Sequence, residues 1–357
     1  MSLERFSGAA GRTSFGFVFV AVLFMGFGAF AQEGELAPSR NPTHRFEEVA
    51  KGVYFVTSTG SVYVMSNCFM IEGDRDVMVV DSHVTPAAAR ALIKAVKSIT
   101  DKPVRYLVNT HYHFDHAHGN QAFPEGVDII GHEYTREKLS GDVLSENTFL
   151  SFTQGLPEML EGLKERIAAE SDANAKKALQ TQLKIQSAYV KALKELDPTP
   201  PNVTFDSRMS MFYGGREIQF LFLGRGHTGG DVVVHLPEEK IAFTGDLMLP
   251  FLSYMGDGFV DEWPETLEGL KSLRIETIYP GHGGPFSAEE GITNFQSYLK
   301  DLWVRVEKSK DAGLSAEEAA EKIDMSDHGK NYPQIRGAGV DPRAVVRIYR
   351  RLEEVEK

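Results

Sequence analysis

The sequence predicts an α/β fold, and three observations carry that prediction. Short runs rich in Val, Ile, Phe and Tyr recur from Val53 to Tyr279, bounded by Gly, Pro, Asp or Asn. Segments with apolar residues at helical spacing stand between them and after them. A chain of 357 residues with 42% hydrophobic and 25% charged residues has an ordinary globular balance and enough length for a sizeable core.

The N-terminus reads as an export signal. Arg5 and Arg12 give a positive start, residues 15–30 are apolar and broken only by glycines, and Ala29-Phe30-Ala31 is an A-x-A cleavage signature that leaves Gln32 first. The apolar run is short for a bilayer span, and a polar, Pro-containing stretch follows it. The expectation is a signal peptide over residues 1–31 and a periplasmic or secreted protein with no stable membrane anchor after cleavage.

The elements follow in order. Residues 52–57 and Val62-Tyr63-Val64-Met65 read as strands around a Ser58-Thr59-Gly60 turn. Residues 68–71 and Val77-Met78-Val79-Val80 continue the pattern, with Gly73-Asp74-Arg75 turning between them. Thr85 caps a helix that Pro86 opens, and Ala91, Leu92, Ala95, Val96 and Ile99 form its buried face. Pro103 ends that helix and residues 104–108 form the next strand, so an antiparallel meander leads into a β-helix-β unit. A helical turn at 119–123 and a short strand at 127–130 come next.

From about 134 to 197 the composition shifts. Leu156, Met159, Leu160, Leu163 and Ile167, then Leu179, Leu183, Val190 and Leu193, repeat at helical spacing around a break at Ser171-Asp172-Ala173-Asn174. Two amphipathic helices inserted between core strands are expected there. Strands resume at 218–223, 231–236 and 241–244, a helix follows Pro264, and Thr277-Ile278-Tyr279 is a last core strand. Helices at about 287–307, 315–323 and 341–355 complete the chain. The expected organisation is one domain over 32–310, interrupted by the insertion, with a C-terminal helical extension over 311–357.

Charge and cysteine content narrow the function. A net charge of -12, with no basic stretch, argues against a nucleic-acid partner held through phosphates. The single cysteine, Cys68, excludes an intrachain disulfide framework, and its apolar neighbours Phe69, Met70 and Ile71 make it a core residue. A small molecule is the expected partner.

The chemistry concentrates in Asn109-Thr110-His111-Tyr112-His113-Phe114-Asp115-His116, at the exit of the apolar run Tyr106-Leu107-Val108. Clustered His and Asp at such a strand exit is a metal-site pattern. Further donors stand at the ends of later apolar runs: His227 after Gly226, Asp246 after Gly245 and His282 after Gly281. Glycine lets the backbone approach closely there, and loops at strand ends commonly build sites. Imidazole and carboxylate ligands in this number suit two zinc ions, which at about 3.5–4 Å apart hold a hydroxide able to attack at neutral pH.

The order His111-x-His113-x-Asp115-His116, then His227, Asp246 and His282, resembles the metallo-β-lactamase-fold superfamily. The resemblance covers about 53–302 and includes the Val80-Asp81 strand end and the loop Gly226-His227-Thr228-Gly229-Gly230-Asp231. It implies a four-layer αβ/βα sandwich with the metals where the loops of two sheets meet. It also implies that His111, His113 and His227 bind one metal, that Asp115, His116 and His282 bind the other, and that Asp246 bridges them. Asp81 then orients a ligand imidazole through its other nitrogen.

Among subfamilies, Asp246 matters most. Many true β-lactamases carry Cys or Ser at that place, whereas a bridging Asp resembles glyoxalase II, lactonases and other general hydrolases. The loops around His227 and Asp246 also resemble an exported, PQQ-linked group found near quinoproteins. The implied activity is that of an exported zinc hydrolase acting on an ester, lactone, thioester or amide, with Asp115 holding the nucleophile. A β-lactamase, a mononuclear-iron oxygenase of the persulfide dioxygenase type and a non-catalytic metal-dependent binding protein are the rival readings.

The insertion and residues 250–255 are expected to form substrate lids, with Tyr254, Met255 and Trp263 as the three lid candidates. With Phe251 and Phe259 they make an aromatic, Met-rich edge near Asp246 that either contacts an apolar part of the substrate or packs as core beneath the loop. The other histidines stand aside on this reading. His118 points away, His83 and His132 serve structure, and His44, His235 and His328 lie outside the constellation.

Overall fold

The computed structural model describes residues 42–355; the export signal read at 1–31 lies outside them. The chain starts as a meander: β1 (His44–Ala50), β2 (Val53–Ser58), β3 (Cys68–Glu72) and β4 (Val77–Val80) pair antiparallel in sequence order. α1 (Pro86–Val96) then carries the chain back to β5 (Val104–Val108), parallel to β4. Its start is fixed locally, because the Thr85 side chain accepts from the Ala88 N–H and Pro86 needs no partner for a missing donor. The one-turn α2 (Phe114–Ala117) precedes β6 (Asp128–His132), also parallel.

Between β6 and β7 (Val203–Phe205) come α3 (Glu133–Ser140), α4 (Asn147–Thr153), α5 (Leu156–Ala169) and α6 (Ala173–Ala192). The hairpin of α5 and α6 is the expected pair, with Asp172 capping α6 at the break. Two further helices, α3 and α4, precede it where two in all were expected, because at 8 and 7 residues they are too short to show a long apolar period.

A second sheet follows: β8 (Arg208–Tyr213), β9 (Arg216–Phe222), β10 (Val232–Leu236) and β11 (Ile241–Phe243), then α7 (Trp263–Ser272), β12 (Thr277–Tyr279) and β13 (Phe286–Ser287). α8 (Ala288–Asp311), α9 (Ala316–Lys322) and α10 (Pro342–Val355) close the chain. The first sheet has seven strands in sequence order, and the second has six in the order β13-β12-β11-β10-β9-β8.

Three apolar layers explain the stacking. Val53, Phe55, Phe69, Val80 and Val108 of the first sheet meet Phe220, Val232, Val234 and Phe243 of the second. The outer face of the first sheet, with Met70, Val79 and Leu107, packs on Leu92 and Val96 of α1. The outer face of the second, with Leu221, Val233 and Ile278, packs on Trp263, Leu267, Phe295, Leu299 and Ile348 of α7, α8 and α10. β4 and β10 are buried at every position, as strands covered on both faces must be. The result is the expected four-layer αβ/βα sandwich.

Two local expectations fail for physical reasons. Val62-Tyr63-Val64-Met65 is not a strand: Met65 is left-handed (φ 63), and Tyr63 stacks on Tyr189 of α6 with ring centroids 4.3 Å apart. Packing on the insertion replaces a ladder there. The edge strands β1, β7 and β8 were not anticipated. β8 alternates exposed and half-buried residues and pairs with β9 across a turn in which Gly214 and Gly215 both have positive φ, the preferred geometry for a two-residue hairpin loop.

Candidate metal centre

Every candidate ligand sits just past the C-terminal end of a strand. The segment after β5 is held on both sides: the Asn109 N–H donates to the Ile130 carbonyl of β6, and the Asn109 and Asn120 amides bond reciprocally at 3.0 and 2.8 Å. His111 and His113 leave on this segment, and α2 lifts Asp115 and His116 beside them. From the second sheet, β9 delivers His227, β11 delivers Asp246 and β12 delivers His282.

These side chains converge. His111, His113 and His227 place one ligand atom each within 4.8 Å of one another, as do Asp115, His116 and His282, and also His111, His116 and Asp246. His227 Nε2 lies 2.9 Å from His113 Nδ1. His282 Nε2 lies 3.0 Å from Asp115 Oδ2, and His116 Nε2 lies 3.3 Å from the same oxygen. Asp246 stands between the two triads, with Oδ1 3.3 Å from His116 Nε2 and Oδ2 3.3 Å from His282 Nε2 and 3.7 Å from His227 Nε2.

The outward nitrogens explain why these atoms face one another. His227 Nδ1 donates to the Tyr254 carbonyl at 2.9 Å. His113 Nε2 donates to Asp257 Oδ2 at 3.0 Å, and His116 Nδ1 donates to Asp81 Oδ2 at 2.8 Å. The Thr110 hydroxyl donates to Asp81 and accepts from His111 Nδ1 at 3.0 Å. Carbonyls and carboxylates only accept, so each of these outward nitrogens carries the proton. The inward nitrogen of each neutral ring is then a bare lone pair. Lone pairs this close repel unless a cation sits among them, and His111 Nε2 and Asp246 Oδ1 are buried with no hydrogen-bond partner. The donor set fits two divalent cations with imidazole and carboxylate ligands.

Electrostatics agree. Burial pushes His111 well below the ordinary imidazole range and His227 down to about 3, so both rings are neutral. Burial also opposes charge on His116 and His282. Asp115 and Asp246 override it, holding His116 well above its usual value and His282 at about 10. The same pairs keep the Asp115 and Asp246 carboxyls well below the carboxylate range despite burial. The pocket therefore draws positive charge inward, as a proton or as a metal ion.

Backbone geometry supports the arrangement. Asp81 (φ 65) and His83 (φ 67) are left-handed without being glycine, a strain that sites commonly retain. At Gly281 a Cβ would collide with Asp246 Oδ1 and come within 2.8 Å of His116 Cε1. Gly281→Ala is therefore expected to displace the Asp246 carboxylate and to lower affinity for a cation in the site by at least about tenfold, measured by metal content after gel filtration.

Comparison with known proteins decides the family. The Metallo-beta-lactamase superfamily model matches residues 62–282, more than half of the chain. The chain belongs to the metallo-beta-lactamase superfamily. It is 24% identical over 283 residues to the linear primary-alkylsulfatase of a Pseudomonas species, covering 75% of this chain and 52% of that protein. It is 26% identical over 251 residues to a type 2 metallo-beta-lactamase of a Bacillus species, covering 68% and 77%. A solved metallo-beta-lactamase from Pontibacter korlensis has the same fold, with a TM-score of 0.52 at 20% identity over 72% of this chain and 99% of that one. The chain spans about half the length of the alkylsulfatase. The alkylsulfatase and the beta-lactamase among these relatives are hydrolases by name.

Within this superfamily fold, the structure brings together His111, His113, Asp115, His116, His227, Asp246 and His282, with Asp81 on His116. Two of the three lid candidates are corrected. Trp263 is fully buried and Met255 nearly so, both in the apolar layer behind the second sheet. The Trp263 indole donates to the Leu247 carbonyl at 3.1 Å. They are core because the chain between β11 and α7 folds back onto the sheet. Tyr254 does reach the site, with its ring centroid 6.0 Å from that of His113. His118 stands outside the ligand groups, as expected, and is buried against Phe114 and Phe149. His83 stacks on His44 in the interior, and His132 accepts from the Tyr134 N–H at the start of α3. Asp257 and Thr148 went unnoticed in the sequence; no motif marks either, and only the fold sets them beside His113.

Proposed function

We propose that this chain is an exported hydrolase whose two triads each bind a divalent cation, zinc by the chemistry of the donors, and which cleaves an ester, lactone, thioester or amide bond. The observation that carries this reading is the convergence of imidazole lone pairs and two ionised carboxylates on one buried centre. Bound there, the cations supply a hydroxide nucleophile at neutral pH and polarise the bond under attack. The protein's own groups hold the geometry. Four imidazoles are locked by outward hydrogen bonds, so they need no reorganisation during turnover. Asp115 is ionised and buried, placed to hold or accept a proton beside His282. The export signal read at residues 1–31 supports a periplasmic or secreted location. No helix among the described residues is long and apolar enough to cross a membrane.

Metal analysis of the purified protein, paired with ester, lactone, thioester, β-lactam, phosphodiester and sulfate-ester substrates, tests the reading. The alkylsulfatase similarity is the reason sulfate esters belong in that set. Two zinc ions per chain with hydrolysis of a member are expected; one iron with oxygen consumption points instead to an oxygenase. Chelation is expected to lower Tm by about 10 °C, since cations at roughly 1,000 times their Kd stabilise by about 4 kcal/mol. A melt unchanged by chelation and by added Zn2+ counts against occupied triads.

A further inference from the structure

Two imidazoles of the first triad are held from outside by one loop. His113 Nε2 donates to Asp257 Oδ2, and His227 Nδ1 donates to the Tyr254 carbonyl. Tyr254 and Asp257 lie between β11 and α7, in a stretch with no strand or helix of its own. A side chain from elsewhere ties the loop down. Thr148, on α4 of the insertion, is only 4% exposed. Its hydroxyl makes a very short bond to Asp257 Oδ2 and lies 3.0 Å from the Tyr254 hydroxyl. The carboxylate can only accept and threonine has one hydroxyl proton, so Thr148 donates to Asp257 and accepts from Tyr254. One oxygen of Asp257 thus collects His113 and Thr148 together. Burial pushes this carboxyl up, but the His113 and Thr148 bonds hold it well below the usual range.

The second triad is anchored differently. His116 leans on Asp81 at the end of β4, within the first sheet and away from α4. A disturbance at Thr148 therefore reaches His113 and His227 by hydrogen bonds and has no such route to His116.

We propose that Thr148 is a positioning residue through which the helical insertion sets the metal affinity of the His111–His113–His227 triad, selectively over the second triad. The proposal rests on the reading that both triads bind cations. Thr148→Val keeps the side-chain shape and removes both bonds. It frees one side of Asp257, leaves the Tyr254 hydroxyl without its acceptor, and lets the loop that orients His113 and His227 relax. Loss of such an outer partner typically costs 10–100-fold in metal affinity.

The test uses Zn2+ alone, titrated into metal-free full-length protein against a chromophoric chelator. A His282→Ala background isolates the first triad, and a His227→Ala background isolates the second. Adding Thr148→Val is expected to weaken Zn2+ about 10–100-fold in the first background and less than about twofold in the second. Thr148→Ser, which keeps the hydroxyl, is expected to restore affinity, and Tyr254→Phe, which removes one of the two bonds, to give an intermediate loss. The visible spectrum of Co2+ in the first triad is expected to shift with Thr148→Val and to return with Thr148→Ser. Equal weakening in both backgrounds, or none in either, overturns the proposal while the cation reading stands. Should Thr148→Val not fold, Tyr254→Phe decides: unchanged Zn2+ affinity in the His282→Ala background overturns it. Wild-type protein that binds no Zn2+ overturns the cation reading, and the proposal with it.

Discussion

Asp115→Ala is expected to reduce turnover by roughly 10²–10⁴-fold on whichever substrate the wild type cleaves, while the protein stays folded. The substitution removes the carboxylate that lies 3.0 Å from His282 and 3.3 Å from His116. Asp246 is then the one carboxylate left facing the Nε2 atoms of both rings among the described residues. The fold has little reason to fail, because the contact that seats this residue is made by its backbone: the Ser66 hydroxyl donates to the Asp115 carbonyl at 2.5 Å, a bond alanine keeps. His111→Ala is expected to act in the same way through the other triad, since its buried Nε2 faces the metal position. Turnover assays paired with thermal melts of metal-free protein check both variants. Near wild-type rates in either one would end the hydrolytic mechanism.

Trp263→Ala is the largest expected effect on stability. The indole is fully buried, its N–H donates to the Leu247 carbonyl, and its ring meets Phe295 edge-on with centroids 5.2 Å apart. Truncation leaves a cavity beside α8 and an unsatisfied carbonyl, costing about 3–5 kcal/mol. At about 2–4 °C per kcal/mol for a domain of this size, Tm falls by roughly 6–20 °C. A residue that merely covered substrate would change KM and leave the melt unmoved, so the melt separates the two roles.

The contrast between Tyr254 and Trp263 shows what a sequence can and cannot convey here. Both sit in one aromatic stretch after Asp246, with the same composition and no distinguishing period. Only the path of the loop, folding back over the second sheet, sends the indole inward and leaves the phenol beside His113. The ligands themselves were readable because metal chemistry demands particular residue types at strand ends, next to glycines whose reason is now visible at Gly281. Asp257 was not readable. A lone carboxylate in a loop has no signature, and its partner His113 lies 144 positions away in the chain. The residues 62–65 were misread for a related reason. An apolar, β-branched run satisfies a strand pattern, but its contacts are made with Phe114, Leu156 and Tyr189 of other elements rather than with a neighbouring strand.

Each triad draws ligands from both sheets: His111 and His113 with His227, and Asp115 and His116 with His282. An ion in either place is thus a rivet through the sandwich, and its dissociation constant contains the work of bringing two β-halves to the right separation. Coupling of this kind is reciprocal. A substitution deep between the sheets, far from any imidazole, is expected to register as a change in affinity for a cation in these triads, and, if the triads are filled, the free pool of that cation would set in part how firmly the two halves stay joined.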